Sequence, residues 1–317
     1  MKKAVYIFLF FALPLQAQQA VQYTQYMLND MGFNPAAAGD NRDYEILAGE
    51  RKQWYSFDNA PITRFVSVNK GFYKRPYRNF WHGAGVYIEE DLNGLMTTKT
   101  VYPIYAFHLV TAKKGYLTLG ISPAIRFQGI DPSIYDPMDP ALNVYPPKLT
   151  MFPDMSAGLR FHYKKLTLDL AGKQLYKNKV VQGDKSLGGP MKLYPHLYFT
   201  ASRKIFSKAY DYVFEPSLQL RYDFISPLSV SFTCMMFTGK HLGLGLAYRW
   251  GDAVSAILQV KFSKNLIIGL AYDYTVSRFR VTGANSFEIM AGMTPARFLD
   301  QVDDDRKSGA FCPTWDF

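Results

Sequence analysis

Cysteine is nearly absent from this chain. Cys234 and Cys312 are the only two among 317 residues, too few for a disulfide framework, and we read them as unpaired thiols. Beyond residue 15 no stretch reaches the roughly 18 consecutive apolar residues of a membrane-spanning helix. No Pro/Ser/Gly-rich linker and no low-complexity run divides the chain, as two soluble domains of this combined length would require. The five histidines, His82, His108, His162, His196 and His241, make no H-E-x-x-H or other metal spacing. A Gly-x-Ser-x-Gly elbow is missing, and although Ser/His partners need not be adjacent in sequence, an outer-membrane hydrolase has no motif to stand on. Asp131, Asp136 and Asp139 crowd one stretch, but Pro132, Pro137 and Pro140 break the spacing of an EF-hand. The net charge of +10 comes with no nucleic-acid recognition motif. These absences lead us to expect no enzyme, no cofactor, no metal site and no nucleic-acid partner.

What the chain does have is alternation. Leu242, Leu244, Leu246, Tyr248 and Trp250 take one parity, against Gly243, Gly245, Ala247 and Arg249. Val254, Ala256, Leu258, Val260 and Phe262 repeat it against Ser255, Gln259 and Lys261. Leu266, Ile268, Leu270, Tyr272 and Tyr274 repeat it again, against Gly269, Ala271 and Asp273. Successive side chains of a strand point to opposite faces, so period two means one apolar and one polar face. Aromatic residues at strand ends suit membrane–water interfaces. The mean hydropathy of −0.12 is near neutral, as expected when only alternate residues meet lipid. The pattern predicts an all-β fold: an outer-membrane transmembrane β-barrel with lipid outside and a polar lumen.

The segments predicted as strands are 44–54, 60–72, 80–90, 96–109, 115–128, 153–163, 166–175, 190–204, 211–222, 227–236, 241–250, 252–262, 265–275 and 285–294. That is about fourteen, an even number, as single-chain barrels of outer membranes have. Lys2 and Lys3, the apolar run to Leu15 and the small-residue site at Leu15-Gln16-Ala17 read as a secretory signal peptide over residues 1–17. Residues 18–43 then form an N-terminal arm or plug, 44–294 the barrel and 295–317 a periplasmic tail. Both termini of an even barrel fall on the periplasmic side, so Lys113, Lys114, Lys164, Lys165, Lys204, Lys240 and Lys264 gather at periplasmic turns. The long connections 129–152 and 176–189 fall outside. A basic rim either meets lipid headgroups or steers an acidic periplasmic partner. By parity Arg126, Arg160, His162, Asp169, Lys173, Glu215, Gln219, Arg221, Arg249, Gln259, Asp273 and Glu288 point into the lumen. Both signs of charge favour a filled lumen over an open pore.

The arm is the most specific stretch. It reads Gln22-Tyr23-Thr24-Gln25-Tyr26-Met27-Leu28-Asn29, then Gly32-Phe33-Asn34-Pro35-Ala36-Ala37-Ala38-Gly39. The first hairpin carries Arg51-Lys52-Gln53-Trp54, Phe57-Asp58-Asn59-Ala60-Pro61 and Ser67-Val68. The far segments carry Ala271-Tyr272-Asp273-Tyr274 and Phe287-Glu288-Ile289-Met290, and the chain closes on Phe311-Cys312-Pro313-Thr314-Trp315-Asp316-Phe317. This set resembles the PorP/SprF proteins of the type IX secretion system of Bacteroidota, with two extra residues inside the Cys-Pro-x-Phe ending. The resemblance implies an outer-membrane component that supports secretion or surface attachment of a large adhesin, or links to the periplasmic secretion and gliding apparatus. The partners it implies are outer-membrane lipid, other type IX secretion components, a secreted adhesin and a peptidoglycan-linked periplasmic protein. We expect partner contacts at Gln25, Tyr26, Met27, Asn34 and Pro35 of the arm and at Trp54, Phe57 and Pro61 of the first hairpin. In the tail we expect them at Phe311, Cys312, Pro313, Trp315 and Phe317. The alternative is a transporter of a hydrophobic or small solute, which a polar arm of this length supports poorly.

Overall fold

A computed structural model of the chain describes residues 21–40, 44–72, 79–94, 96–112, 115–130, 150–176, 179–180, 191–192, 194–207, 212–238, 241–262, 266–277, 280–281 and 283–293. Fourteen strands form the barrel: β1 Glu45–Lys52, β2 Ile62–Phe72, β3 Phe80–Asn93, β4 Met96–Ala112, β5 Gly115–Ile130, β6 Thr150–Tyr163 and β7 Leu166–Lys173. They continue as β8 His196–Arg203, β9 Tyr212–Tyr222, β10 Ser229–Thr238, β11 Leu242–Arg249, β12 Ala253–Lys261, β13 Leu266–Thr275 and β14 Ser286–Met293. Each strand pairs antiparallel with its sequence neighbour. Closure comes from β1 on β14, with Ile46 opposite Met293 and Lys52 opposite Phe287. A closed meander satisfies every strand edge, which is the condition for a sheet to cross hydrocarbon. We call the end where β1 starts and β14 stops the near end, and the other the far end.

Several boundaries differ from the alternation. The segment 190–204 divides into Met191–Lys192, which pairs with Lys179–Val180, and β8. Pro195 stands at the break, and proline has no N–H to give a ladder. Strands β3 to β6 are longer than their apolar stretches, because paired polar residues extend them beyond the lipid-facing part. On β4 and β5, Pro103 and Pro123 stand on adjoining strands, between the pairs Val101–Ile125 and Tyr105–Ile121.

The two faces separate as the alternation predicts. Leu244, Leu246, Tyr248 and Val254 are exposed on the outside, whereas Arg249, Gln259 and Asp273 are buried inside. Large rings stand on the outer face toward both ends, with Tyr248, Trp250, Tyr272 and Tyr274 at the far end and Phe72 and Phe262 at the near end. At the far side of β1–β4 the outer face carries a charge ladder in exact cross-strand register: Glu50, Arg64, Glu90 and Lys99. Arg64 lies 2.7 Å from Glu50 and 3.6 Å from Glu90, and Lys99 lies 2.9 Å from Glu90. Exposed pairs of this kind are worth about 0–1 kcal/mol each in water, whereas unpaired charges are costly in hydrocarbon. The ladder therefore marks the far limit of the lipid band, and β3–β6 continue past it.

Residues 1–20, 131–149, 181–190 and 294–317 lie outside the described residues. With them fall the signal peptide, the long outer loops and the tail contacts Phe311, Cys312, Pro313, Trp315 and Phe317. The face assignment makes a depth-dependent prediction. Leu246→Arg, in the middle of the outer face of β11, should cost about 2–4 kcal/mol, and Phe262→Arg at the near girdle about 0–1 kcal/mol. Denaturant unfolding of the two variants in lipid vesicles measures the difference, and equal costs would refute the placement.

Candidate functional site

The lumen is not a channel among the described residues. The arm, residues 22–40, runs through it, and three sets of contacts hold the segment. The first is toward the far end. The Glu288 carboxylate accepts the main-chain amides of Thr24 and Gln25, each at 2.9 Å. The Thr24 hydroxyl donates to Asp273 at 2.7 Å. Arg51 bridges both acids, at 2.6 Å to Asp273 and 3.2 Å to Glu288, and also donates to Thr24 Oγ1 at 3.0 Å. Arg249 lies 3.7 Å from Asp273 and holds Asp252 at 2.8 Å. Arg51, Asp273 and Glu288 are all almost fully buried. Buried charges are tolerated only when paired and hydrogen-bonded, and here the arm's own backbone completes the acids' hydrogen bonds.

The second set lies midway. Tyr23 meets Phe65 edge-on at 5.2 Å, Phe65 stacks on Tyr87 at 5.5 Å, and Tyr87 approaches Tyr102 at 6.0 Å. Asn29 Nδ2 donates to the Tyr87 hydroxyl at 3.2 Å. Across the lumen the Tyr26 hydroxyl bonds Ser217, and Tyr26 and Phe33 pack with Ala171 and Tyr198. Lys173 donates to the Gly32 carbonyl at 2.7 Å. Leu28 and Met31 join the largest apolar cluster among the described residues, beside Leu47, Phe65, Ile104 and Met290. The arm thus supplies part of the core that the barrel wall surrounds.

The third set receives the arm at the near end. Arg160 binds Asp169 at 2.7 Å on its own wall, and Asp30 at 2.8 Å and Asp40 at 2.9 Å from the arm. Asn34 donates to Asp169 at 2.8 Å and to the Leu159 carbonyl at 3.1 Å, while its oxygen accepts from the Ala36 amide at 2.9 Å. That last bond caps the 3-10 turn Pro35–Ala37, with proline at the first position, where its missing N–H costs nothing. His108 Nε2 donates to the Ala38 carbonyl at 3.0 Å, and Trp81 Nε1 donates to the Gly39 carbonyl at 3.1 Å. The Trp81 and His108 rings stack at 4.4 Å, and Thr118 donates to His108 Nδ1 at 2.8 Å. Inward glycines make room for the backbone. A methyl group at Gly120 would overlap Pro35 and Ala36, and one at Gly83 would overlap the Ala38 carbonyl.

The five arm residues expected to meet partners, Gln25, Tyr26, Met27, Asn34 and Pro35, are here turned onto the protein's own wall. All but the half-buried Met27 are buried. Gln25 lies by Gly269 and Gln259, and Met27 accepts from Ser217 at 3.1 Å. Trp54, Phe57 and Pro61 lie elsewhere, in the β1–β2 connection at the far end. Phe57 is exposed there, and Trp54 and Pro61 are half-buried. The arm also runs lengthwise through the barrel, so Gln22 lies away from the end where β14 stops. Gln22 meets Ser229 at the start of β10, at the far end, and only Gly39 and Asp40 reach the near end. The arm has to cross the lumen before β1 can begin there.

The wall partners Asp169, Arg160, Asp273 and Glu288 are readable as inward by parity. Trp81, Tyr87, Thr118 and Gly120 are not singled out by the sequence. Their one local signal is polar, aromatic or glycine residues on the lumen parity, and that says nothing of what they touch. Among the described residues no group of three or more His, Cys, Asp or Glu is arranged to hold a metal ion.

The profile of the family described as type IX secretion system membrane protein PorP/SprF matches residues 15–293. Among solved structures, the chain is similar to the monoaromatic hydrocarbon channel CymD, at 10% identity, over 87% of this chain and 94% of that one, with a TM-score of 0.49. It is also similar to the toluene transporter TbuX of Ralstonia pickettii, at 10% identity, over 84% and 92% of the two chains, with a TM-score of 0.48. A further likeness is to the outer membrane protein Omp33 of Acinetobacter baumannii, at 7% identity, over 81% and 99%, with a TM-score of 0.46. No curated protein matches the chain.

The clasp at Glu288 generates a prediction. Arg51→Met leaves Asp273 and Glu288 buried without their shared cation, which should cost about 3–5 kcal/mol and loosen the arm. Chymotrypsin should then cut after Tyr23 or Tyr26 in the folded barrel, as it should not in the parent protein. Unchanged unfolding and unchanged resistance would show that the arm does not depend on this cluster.

Proposed function

The chain belongs to the PorP/SprF family of type IX secretion system membrane proteins, and on that premise we propose that it is an interaction protein: its far end holds a secreted adhesin at the cell surface and its near end joins the periplasmic secretion and gliding apparatus. The protein is an outer-membrane β-barrel and a membrane component of that secretion system. The observation that carries the finer reading is the occupied lumen. A barrel filled by its own arm, with the arm's backbone completing buried ion pairs, works through its two ends. The transporter reading needs a path where the arm stands.

The far end offers a rigid, partly apolar surface. The β1–β2 connection is pinned to the β13–β14 connection by Tyr55 N–H to Asn285 O at 3.0 Å, by Ser56 to Gly283 O at 3.1 Å, and by Trp54 N–H to Ser286 at 3.2 Å. Tyr55 and Phe57 remain exposed on it, as do Val281 on the second connection and Trp250 at the next hairpin tip. Exposed apolar groups gathered on a fixed support suit a protein partner. The near end carries exposed Lys164 and Lys165 with half-buried Lys204, and a basic rim attracts acidic surfaces. Because both ends of the strand series lie at the near end, the near end is assigned to the periplasm. The tail contacts at Phe311, Cys312, Pro313, Trp315 and Phe317 belong to the same proposal.

Three measurements test it. In a Cys234→Ser, Cys312→Ser background, Tyr55→Cys should react with a membrane-impermeant maleimide on intact cells, and Lys164→Cys only after permeabilisation. Labelling of position 164 from outside would invert the assignment. Replacing Tyr55 and Phe57 together by Ser should leave the barrel inserted and other type IX cargo secreted, but release the adhesin from the surface into the medium. Normal retention would remove this hairpin from the adhesin site. Deleting residues 22–37 should turn a silent barrel into a conducting one in a planar bilayer. Conductance by the parent protein would favour the transporter.

A further inference from the structure

Beneath the rim lysines a cleft of about 60 Å³ opens at the near end, between the arm and β5–β9. Three of its acids, Asp30, Asp40 and Asp169, share Arg160 at 2.8, 2.9 and 2.7 Å. Glu215 of β9 lines the same cleft and is only 8% exposed. Among the described residues no hydrogen bond or ion pair reaches its carboxylate, although Lys204 acts on it electrostatically. Its counterpart across the lumen, Glu288, accepts two main-chain amides and an arginine, as a buried acid requires. The position of Glu215 suits a slender cation that enters from the near end. The mouth of the cleft carries the opposite sign. Lys165 lies over the Phe206 ring at 3.7 Å, on the lumen side, since Phe206 packs against the inner cluster that holds Val213. Lys164, its neighbour in the β6–β7 turn, lies near the Tyr163 ring at 5.0 Å, and that ring is exposed on the outer face. Both lysines border the cleft, so the charge of one turn spans the wall from the lipid side to the lumen side. Lys204 stands beside them, its amide bonded to the Lys165 carbonyl at 2.9 Å.

We propose that this cleft binds the headgroup of an aminophospholipid from the adjoining leaflet, with its phosphate on Lys164, Lys165 and Lys204 and its ethanolammonium group against Glu215. The order of charges fits: an anion meets the cations of the rim, and a cation two carbons further on meets the buried acid. The volume fits as well. At roughly 15 Å³ for each water-sized group, the cleft takes about four non-hydrogen atoms, the number in the N–C–C–O arm of ethanolamine. A trimethylammonium group is bulkier and has no N–H to give. A primary ammonium has several donors, and the hydroxyls of Thr200 and Ser202 line the cleft with Glu215. Lysines bind phosphate as point charges, and an exposed ring such as Tyr163 stands where aromatic girdles meet headgroups. The glycerol then crosses the rim at the Lys164–Lys165 turn, and the acyl chains lie on the outer face. This site goes beyond the function proposed above and rests on no protein partner.

The test uses the full-length barrel, delipidated in detergent micelles, with folding checked by heat-modifiable gel mobility. The probes are phosphatidylethanolamine, phosphatidylcholine and phosphatidylglycerol with matched acyl chains. Native mass spectrometry should show a single phosphatidylethanolamine retained per barrel at about tenfold lower lipid concentration than the other two, the scale of one charge-assisted hydrogen bond. Glu215→Gln, which keeps the shape of the side chain, should abolish that preference. Lys165→Gln combined with Lys204→Gln, on the exposed side of the site, should weaken phosphatidylethanolamine by about tenfold and carries the test should the Glu215 variant not fold. Lys52→Gln, an exposed lysine of the far end, should change nothing. Glycerophosphoethanolamine, the same headgroup without acyl chains, should bind more weakly than the lipid and lose its binding in Glu215→Gln. Equal retention of the three lipids by the parent barrel overturns the site and leaves only lipid bound around the wall. A preference unchanged by Glu215→Gln or by the double lysine variant overturns it too. Equal binding of the chain-free headgroup overturns the membrane source and gives the cleft to a soluble aminophosphate.

Discussion

The arm is held in the barrel first of all by two buried carboxylates whose hydrogen bonds it completes. Asp273 and Glu288 stand on adjacent strands, buried in the lumen, with Arg51 between them. Ionised groups in such a place lose several kcal/mol of hydration each, and one arginine does not replace it all. The main-chain amides of Thr24 and Gln25 and the hydroxyl of Thr24 supply further donors. Wall and arm are therefore one structure. The same arrangement recurs at the near end with the signs exchanged, where Arg160 of the wall is surrounded by Asp169 of the wall and by Asp30 and Asp40 of the arm.

This constraint accounts for the composition of the inner face. Around a water-filled pore, inward positions would need only polarity. Here they need shape as well: glycine where the backbone passes, at Gly83 and Gly120, and stacked rings where side chains meet, at Phe65, Tyr87 and Tyr102. It also accounts for the short motifs on which the resemblance was read. Arg51 lies more than two hundred positions from Asp273 and Glu288 in the chain, yet the three meet at Thr24. Asn34 and Pro35 form one turn that fits one gap. A substitution at any of them leaves a buried partner unsatisfied, which is costlier than the loss of the bond itself.

The outer face answers to a simpler rule. Lipid asks only that side chains be apolar, with rings at the two interfaces and paired charges, as at Glu50, Arg64, Glu90 and Lys99, where the wall rises into water. Such a surface carries little specific information, so the specificity of the protein resides in its lumen and at its two ends. A filled lumen moves the functional question to the ends, where an apolar hairpin surface and a basic rim lie on opposite sides of the same rigid cylinder.

The sequence by itself determined the class and the two faces and pointed to about fourteen strands, because period-two alternation is a local property that each ten-residue segment states independently. It also listed many of the inward charges, from Arg126 to Glu288, since parity needs no knowledge of neighbours, though not Arg51, Glu89 or Asp154. It did not determine which of those charges pair, where β8 would begin after Pro195, or which way the arm runs. Those are decided by the closed barrel. Cross-strand register sets Arg51 beside Glu288, and the distance around the cylinder sets Arg160 within reach of the arm. The arm's direction follows from the place of its best donors, since the amides of Thr24 and Gln25 must reach Glu288 at the far end while Gly39 must still connect to β1 at the near end. Contacts between residues 24 and 288 leave no trace in the spacing of either segment, and only a structure in which both ends of the chain share one enclosed space can bring them together.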